Sequence, residues 1–252
     1  ELRLPRAITA LAGGAALGAA GLQLQTLFRN PLAGPWALGI TAGAQLGVAL
    51  VVVTGAVVGS SFLERFEFLN NLSMVAGAGL GAALVLVAIA SVSRRVSTIT
   101  LLIMGLMLGY LAQGLVSLVL HFTNETQGKV CASWNDGSFA GVHWDHFPIM
   151  LPMFAVGIIA ALLLVKPLNA LLLGERYAAT LGRSVDRARF MALGSTVLLA
   201  APITAYCGPI LFVGLIVPHM CRGLFNTSDH RILMPAVLLM GASLGLAADL
   251  FV

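Results

Sequence analysis

Charged side chains are scarce in this sequence. Asp, Glu, Lys and Arg together make up 10% of the 252 residues, whereas hydrophobic residues make up 59%. The mean hydropathy is +0.96. Soluble globular domains carry about 25% charged residues, so this composition excludes a soluble globule with a polar surface. The chain is expected to have lipid as its solvent.

Several kinds of site are also missing. No GxxxxGK[ST] loop, which would cradle the phosphates of ATP, occurs in the sequence. The three cysteines, Cys131, Cys207 and Cys221, are far apart and show no CxxC spacing, so neither a disulfide framework nor a zinc site is predicted. Acidic residues are absent from the long apolar runs except for Asp249. Ion-coupled transporters normally keep such groups inside the membrane, so an ion-coupled secondary transporter is kept only as an alternative. If transport is driven by ATP instead, the nucleotide site is on another polypeptide.

Long apolar runs follow one another along the chain, separated by short polar stretches. All but a short one at residues 210–221 approach or exceed the roughly 20 residues that a helix needs to cross a hydrocarbon core. None alternates as the strands of a membrane barrel do. They occupy residues 7–27, 36–58, 68–91, 98–120, 147–165, 190–206, 210–221 and 232–252. The sequence therefore predicts an all-α polytopic membrane protein with about eight transmembrane helices in one domain, residues 1–252.

The basic residues indicate the orientation of these helices. With the amino end outside, the inward loops hold ten Lys and Arg residues and the outward loops hold four, as the positive-inside rule requires. The net charge of +4 is therefore a topology signal, and no nucleic-acid partner is predicted.

Glycines recur four residues apart in the apolar runs. This spacing lets two helix backbones approach closely where lipid supplies no hydrophobic drive for association. The pairs are Gly14 and Gly18, Gly39 and Gly43, Gly77 and Gly81, Gly105 and Gly109, and Gly241 and Gly245.

Three loops carry further information. The inward stretch RNPLAGP, residues 29–35, must end one helix and start another. The inward stretch 166–189 is too charged to be inserted, and its apolar residues suit short amphipathic helices broken at Gly174 and Gly182. The outward loop 121–146 contains Trp134 and Trp144, which are typical headgroup anchors, although ligand contact stays open. His143 and His146 in that loop are either a metal or heme contact or ordinary polar surface.

Six sequence blocks, taken in order, resemble the FecCD family, the permease subunits of type II ATP-binding-cassette (ABC) importers for ferric siderophores, heme and cobalamin. The blocks are RLPR (3–6), LQTLFRNPLAGPWALGI (24–40), RRVST (94–98), WNDGSFAGVHW (134–144), LLLGERYAATLG (171–182), and GPILFVGLIVPHMCR with DHRILMP (208–235). Family members usually have ten transmembrane helices. The resemblance thus implies that the chain is a fragment lacking the first helix and the C-terminal end.

The resemblance also implies roles for three groups of residues. The residues implied to couple the permease to its ATPase are Leu173, Gly174, Glu175, Tyr177 and Gly182. Those implied to close the pathway at the cytoplasmic side, as a gate, are Asn30, Leu32, Ser97 and Thr98. Those implied to dock a substrate-binding protein are Arg3 and Arg6.

By the same resemblance, the chain is a transport subunit and not an enzyme. It would have no cofactor of its own, because ATP and magnesium would bind to two partner ATPase subunits. A second permease copy, identical or homologous, and a substrate-binding protein would complete an importer in the bacterial inner membrane. A ferric siderophore is the first expected ligand, with heme and cobalamin left open, and a non-transporting membrane scaffold is the third hypothesis.

Overall fold

The structure, a computed structural model, describes residues 3–36, 38–58, 67–92, 96, 98–121, 137–180 and 185–251. Regular structure in these ranges is entirely helical. Two single 3-10 turns, Phe139–Gly141 and Trp144–His146, precede the fifth α-helix. The α-helices are α1 (Arg3–Leu27), α2 (Ile40–Val58), α3 (Glu67–Val92), α4 (Thr98–His121), α5 (Phe147–Leu163), α6 (Val165–Leu172), α7 (Glu175–Thr180), α8 (Val185–Cys207), α9 (Val213–Phe225) and α10 (His230–Phe251).

Each predicted apolar run forms a helix, namely α1 to α5 and α8 to α10. Within the described ranges, five helical stretches are long and apolar enough to cross a membrane, and shorter apolar helices lie in α2, α4 and α9. The five are Arg3–Leu27, Leu72–Ile89, Trp144–Leu163, Arg187–Cys207 and His230–Phe251. The predicted all-α polytopic architecture is confirmed.

Three helices start four or five residues away from the prediction, and the other boundaries differ by smaller or similar amounts. Helix α1 begins at Arg3 rather than at residue 7; Pro5 fits there because the first turn of a helix has no use for its N–H groups. Helix α2 begins at Ile40 rather than at residue 36, after Gly39 with its φ of +69°. Helix α8 begins at Val185, five residues before the predicted start at 190, because charged residues can continue a helix beyond the apolar span.

The described chain divides into two compact units. The first comprises Glu1–Arg6, Trp36–Pro152 and Ala201–Ile210. In it, α2 packs against α3 and α4. A Cβ atom built on Gly43 would clash with the backbone of Gly81, and one built on Gly39 would lie 2.7 Å from the carbonyl oxygen of Gly105. The glycine pairs predicted in this part of the chain therefore lie at close helix contacts.

The second unit comprises Ala7–Pro35, Met153–Ala200 and Leu211–Val252. In it, α1 passes so close to α10 that a Cβ on Gly14 would overlap the carbonyl oxygen of Gly241. A further contact was not predicted: a Cβ on Gly21 would overlap the carbonyl oxygen of Gly214 in α9. Three helices are thus packed backbone to backbone, which fixes the path of α1 through this unit.

We expect Gly21→Ala to destabilise the protein by about 1–3 kcal/mol, because the added methyl group has no space and the two helices must separate. The measurement is the temperature at which half of the detergent-solubilised protein stays monodisperse. Gly194→Ala in α8 is the control, since a Cβ there meets nothing within 4 Å and alanine favours a helix. Equal losses in the two variants would contradict the proposed close contact.

Candidate coupling surface and gate loop

Helix α6 continues almost directly from α5. Leu164 alone separates them, and its side chain is buried. The buried residues of α6 are Leu168, Ala170 and Leu171, and the helix packs against α10 within the second unit. A short helix with one buried face is what the sequence predicted for this inward stretch.

A tight turn separates α6 from α7. The Gly174 N–H donates a hydrogen bond to the carbonyl oxygen of Leu171, at 3.2 Å, and the Gly174 carbonyl oxygen accepts one from the N–H of Ala178, at 2.8 Å. Gly174 has a φ of +122°, a conformation that side chains with a Cβ rarely adopt. The predicted break at Gly174 is confirmed, whereas Gly182 lies outside the described residues.

Large apolar side chains project from this turn and from α7. Leu173 is 68% exposed and Tyr177 is 50% exposed, while Leu172 beside them is 40% exposed. Glu175 is the first residue of α7, and its side chain is outside the described part of the structure. An apolar surface on short helices in a charged loop calls for a partner that covers it.

The loop after α1 is shaped by Asn30. Its N–H donates to the carbonyl oxygen of Gln25 at 3.0 Å, and its Oδ1 accepts from the N–H of Leu32 at 2.9 Å. This is the local side-chain bond by which asparagine favours turns. Arg29 precedes it with a φ of +47°. The turn leaves Leu32 exposed.

The structure brings this loop against α6. The Arg29 Nη2 group donates a hydrogen bond to the carbonyl oxygen of Leu171, at 3.2 Å. The predicted gate residues Asn30 and Leu32 therefore follow closely, along the chain, a residue that is hydrogen-bonded to α6. Ser97, also predicted for the gate, lies outside the described residues, and Thr98 begins α4 with its side chain not described.

Arg3 and Arg6 lie on the first turns of α1 and not in the loop that the sequence predicted. Arg3 is exposed and Arg6 is half-buried. The docking role of these two arginines stays a prediction.

A buried polar cluster that sequence analysis missed joins three helices of the second unit. His230, at the start of α10, is completely buried. Its Nε2 lies 2.8 Å from Thr26 Oγ1 on α1, and its Nδ1 lies 2.7 Å from Asn169 Oδ1 on α6. The sequence placed His230 in an inward loop. The only signal was the polar run Gln23 to Thr26 at the end of an apolar segment, which indicates buried polar partners.

Asp229 completes this cluster at the start of α10. Its Oδ1 accepts hydrogen bonds from the Arg231 N–H at 2.8 Å and from the Asn169 amide at 2.6 Å. The Arg231 N–H, followed by the Asn169 amide, holds the pKa of the Asp229 carboxyl below its usual range. Asp229 therefore acts as the ionised N-cap of α10.

Gln25 forms a second polar contact from the last turn of α1. Its Nε2 donates to the carbonyl oxygen of Leu215 at 3.2 Å, and its Oε1 accepts from the Arg222 guanidinium. Both partners are on α9. The last turn of α1 is thus bonded to α9 through Gln25 and to α10 through Thr26.

The outward loop places its histidines beside each other. The His143 N–H donates to His146 Nδ1 at 3.3 Å, and the His146 ring stacks on Tyr206 with centroids 4.3 Å apart. Among the described residues, no group of three or more His, Cys, Asp and Glu side chains is placed to hold a metal ion. The Trp144 ring packs on Phe147. Trp134 lies outside the described residues.

The described part of the chain combines repeated membrane-length helices with short helices that expose apolar side chains, which is typical of a membrane transport subunit. Residues 1–252 match the sequence profile of the FecCD transport family. The chain belongs to this family. It is a permease subunit of an ABC importer and not an enzyme, and this membership excludes both the secondary transporter and the scaffold.

Individual relatives agree with this assignment. The chain is 35% identical over 250 residues to the vitamin B12 import system permease protein BtuC of Klebsiella pneumoniae, covering 99% of this chain and 72% of that protein. It is 34% identical to the uncharacterized ABC transporter permease protein YvrB of Bacillus subtilis, covering 99% and 69%. A solved structure assigned to a metal-chelate type ABC transporter in an inward-facing conformation matches with a TM-score of 0.83 at 31% identity, covering 98% of this chain and 76% of that one.

Gly174→Ala is expected to loosen the turn between α6 and α7, because alanine at this φ costs about 1–3 kcal/mol. Trypsin should then cleave after Arg176 roughly 5 to 150 times faster than in the wild type. Gly223→Ala on α9 is the control, since a Cβ there meets nothing within 4 Å and its φ is not positive. A wild-type cleavage rate in Gly174→Ala would refute the strained conformation.

Asp229 predicts a pH dependence of stability. Because its pKa is lowered in the folded protein, the stabilisation is present above the ordinary aspartate pKa of about 3.9 and is lost as the pH falls through the lower folded value. Asp229→Asn should therefore be less thermostable than the wild type near pH ~7 and should approach it near pH ~3. A gap in melting temperature that stays constant over this range would disprove the role.

Proposed function

We propose that this chain is the pathway-forming subunit of an ATP-driven importer for a large metal chelate in a bacterial inner membrane. A ferric siderophore is the first candidate, with heme and cobalamin as members of the same ligand class. The relatives support the class, since one is a permease for vitamin B12 and another structure is of the metal-chelate type. The observation that carries the proposal is the exposed apolar surface of the α6–α7 segment.

In this proposal, the coupling surface is formed by Leu173, Gly174, Glu175, Tyr177 and Gly182 and docks into an ATPase subunit. The exposed Leu173 and Tyr177 supply apolar contact area, which such an interface requires at its centre. Gly174 supplies the turn that presents them. Helix α6 contacts both α7 and α10, so a force on the coupling surface would reach a membrane helix.

Two further groups of residues receive roles in the proposal. Asn30, Leu32, Ser97 and Thr98 form the cytoplasmic gate, supported for the first two by the exposed turn that Asn30 shapes. Arg3 and Arg6 attract acidic side chains of a substrate-binding protein. Charge pairs of that kind set orientation and association rate more than affinity.

The complete importer would contain two permease copies, two ATPase subunits that bind ATP and magnesium, and one substrate-binding protein. We propose two identical permease copies, with a homologous second chain as the other possible composition. ATP binding and hydrolysis would move the coupling surfaces and rock rigid helical bodies between outward-open and inward-open states.

The coupling role is tested by co-purification with the partner ATPase. The complete permease and its ATPase are co-expressed, and the complex is isolated through a tag on the ATPase. Leu173→Asp and Tyr177→Asp should each abolish recovery of the permease, because a charge in the apolar centre of the interface loses its hydration without gaining a partner.

Leu4→Asp is the matched control for this experiment. Leu4 is 58% exposed, a fraction similar to the 68% of Leu173, but it lies on the first turn of α1 and outside the predicted coupling residues. Its variant should co-purify normally. If Leu4→Asp and Leu173→Asp lose the ATPase equally, the coupling surface is assigned wrongly.

Substrate class is decided by uptake into liposomes that contain the permease and ATPase, with the binding protein added outside. Radiolabelled ferric siderophore, heme and cobalamin are compared at equal concentration with and without ATP. ATP-dependent accumulation of one chelate would identify the ligand. Transport of none of the three, by a complex that hydrolyses ATP, would remove the metal-chelate assignment.

A further inference from the structure

Helix α6 is tied to the inward end of α1 by two independent sets of hydrogen bonds. The first runs through side chains, from Asn169 on α6 to His230 on α10 and on to Thr26 on α1. The second is direct, from the Arg29 guanidinium to the carbonyl oxygen of Leu171. We call these bonds together the clamp, formed by Thr26, Arg29, Asn169 and His230.

The amide oxygen and the amide nitrogen of Asn169 both form hydrogen bonds at the clamp. Its Oδ1 accepts from the backbone N–H of His230 at 2.9 Å and lies 2.7 Å from His230 Nδ1, while its amide nitrogen donates to Asp229. Because Oδ1 can only accept, Nδ1 of the imidazole must carry the hydrogen. One amide thus fixes both the orientation of the His230 ring and the first turn of α10.

The His230 ring also contacts α1, through Thr26. With the hydrogen on Nδ1, the Nε2 atom can only accept, from the Thr26 hydroxyl 2.8 Å away. The single hydrogen of that hydroxyl is shared with the Leu22 carbonyl oxygen, at 2.9 Å. Both side chains are fully or almost fully buried. A buried polar group that loses its partner has no water to replace it, so these bonds are costly to break and the joined segments move together.

Arg29 adds a second point of attachment beyond the end of α1. Two separated attachments resist rotation of α6 about either one. The loop shaped by Asn30 follows Arg29 directly, so a displacement of α6 and α7 shifts the first residues of that loop. No other contact of Asn30 or Leu32 is needed for this effect.

We propose that Thr26, Arg29, Asn169 and His230 are positioning residues that pass the movement of the coupling surface to the gate loop. The inference rests on the proposed function, because it takes the α6–α7 segment as the ATPase contact and Asn30 and Leu32 as part of the gate. The inference gives these four residues no direct contact with nucleotide or ligand. Their contribution is the tightness with which ATP hydrolysis is linked to transport.

The test is the number of ligand molecules transported per ATP hydrolysed, measured in liposomes with the complete importer and the chelate found to be its ligand. Asn169→Leu removes the amide while keeping the side-chain volume. It should lower this ratio roughly 5- to 150-fold, the usual range for a coupling between two sites, while the complex still assembles and hydrolyses ATP.

Ser195→Ala is the matched control. Ser195 is buried in the same unit, where its hydroxyl donates to the Gly157 carbonyl oxygen at 2.9 Å and accepts from the Gln23 amide at 3.1 Å. This variant also loses buried hydrogen bonds, but outside the clamp. It should lower thermal stability and leave the ratio of transport to hydrolysis unchanged.

A double-mutant cycle separates a transmitting role from a general loss of stability. Asn169→Leu and Thr26→Val act on the same chain of bonds, so the double variant should be no worse in its transport ratio than the worse single variant. If Asn169→Leu does not assemble, Thr26→Val and Arg29→Met, which each remove one attachment of the clamp, are measured instead and should lower the ratio in the same direction.

The outcomes distinguish this inference from the function on which it rests. A wild-type complex that neither assembles nor transports would overturn the proposed function together with the clamp. A wild-type complex that transports normally, with variants of Thr26, Arg29 and Asn169 that keep its ratio within about twofold, would overturn the clamp alone.

Discussion

The close approach of helix backbones at glycines is the constraint on which the second unit depends. Lipid tails are as apolar as the side chains they contact, so burial of apolar area gives little drive for helices to associate. Gly14 against Gly241 and Gly21 against Gly214 leave no space for a Cβ. Dispersion contacts between backbones then hold α1 to α9 and α10, and they fix where every other residue of α1 lies.

The buried polar cluster follows from this packing. Because α1 lies against α9 and α10, the polar residues of its last turn face those helices rather than lipid, where unpaired groups would be strongly unfavourable. Gln25 meets Arg222, and Thr26 meets His230. Each of these bonds adds a directional contact to the backbone contacts that the glycines make between the same helices.

The sequence predicted the positions of the helices far better than it predicted which residues contact one another. A run of apolar residues is sufficient for a helix in lipid, so the eight predicted runs were all helical, and errors were confined to ends such as Arg3 and Val185. The glycine spacing correctly indicated close packing but did not say that Gly14 meets Gly241, since any such pair fits any other. His230 could not be separated from an ordinary loop histidine, because its role depends on Asn169, 61 residues away.

The combination of glycine packing and a polar cluster at one end of α1 suits a subunit that transmits work. Packed interiors do not deform continuously, so α1, α9 and α10 respond to a local force as one body. Such a body needs its force delivered at a place where a partner can reach it. In the proposed function the α6–α7 segment is that place, since it exposes Leu173 and Tyr177 and is bonded through Asn169 to the start of α10. Without the bonds of Asn169 to α10, a displacement of α7 would bend the turn at Gly174 and would not reach the membrane helices.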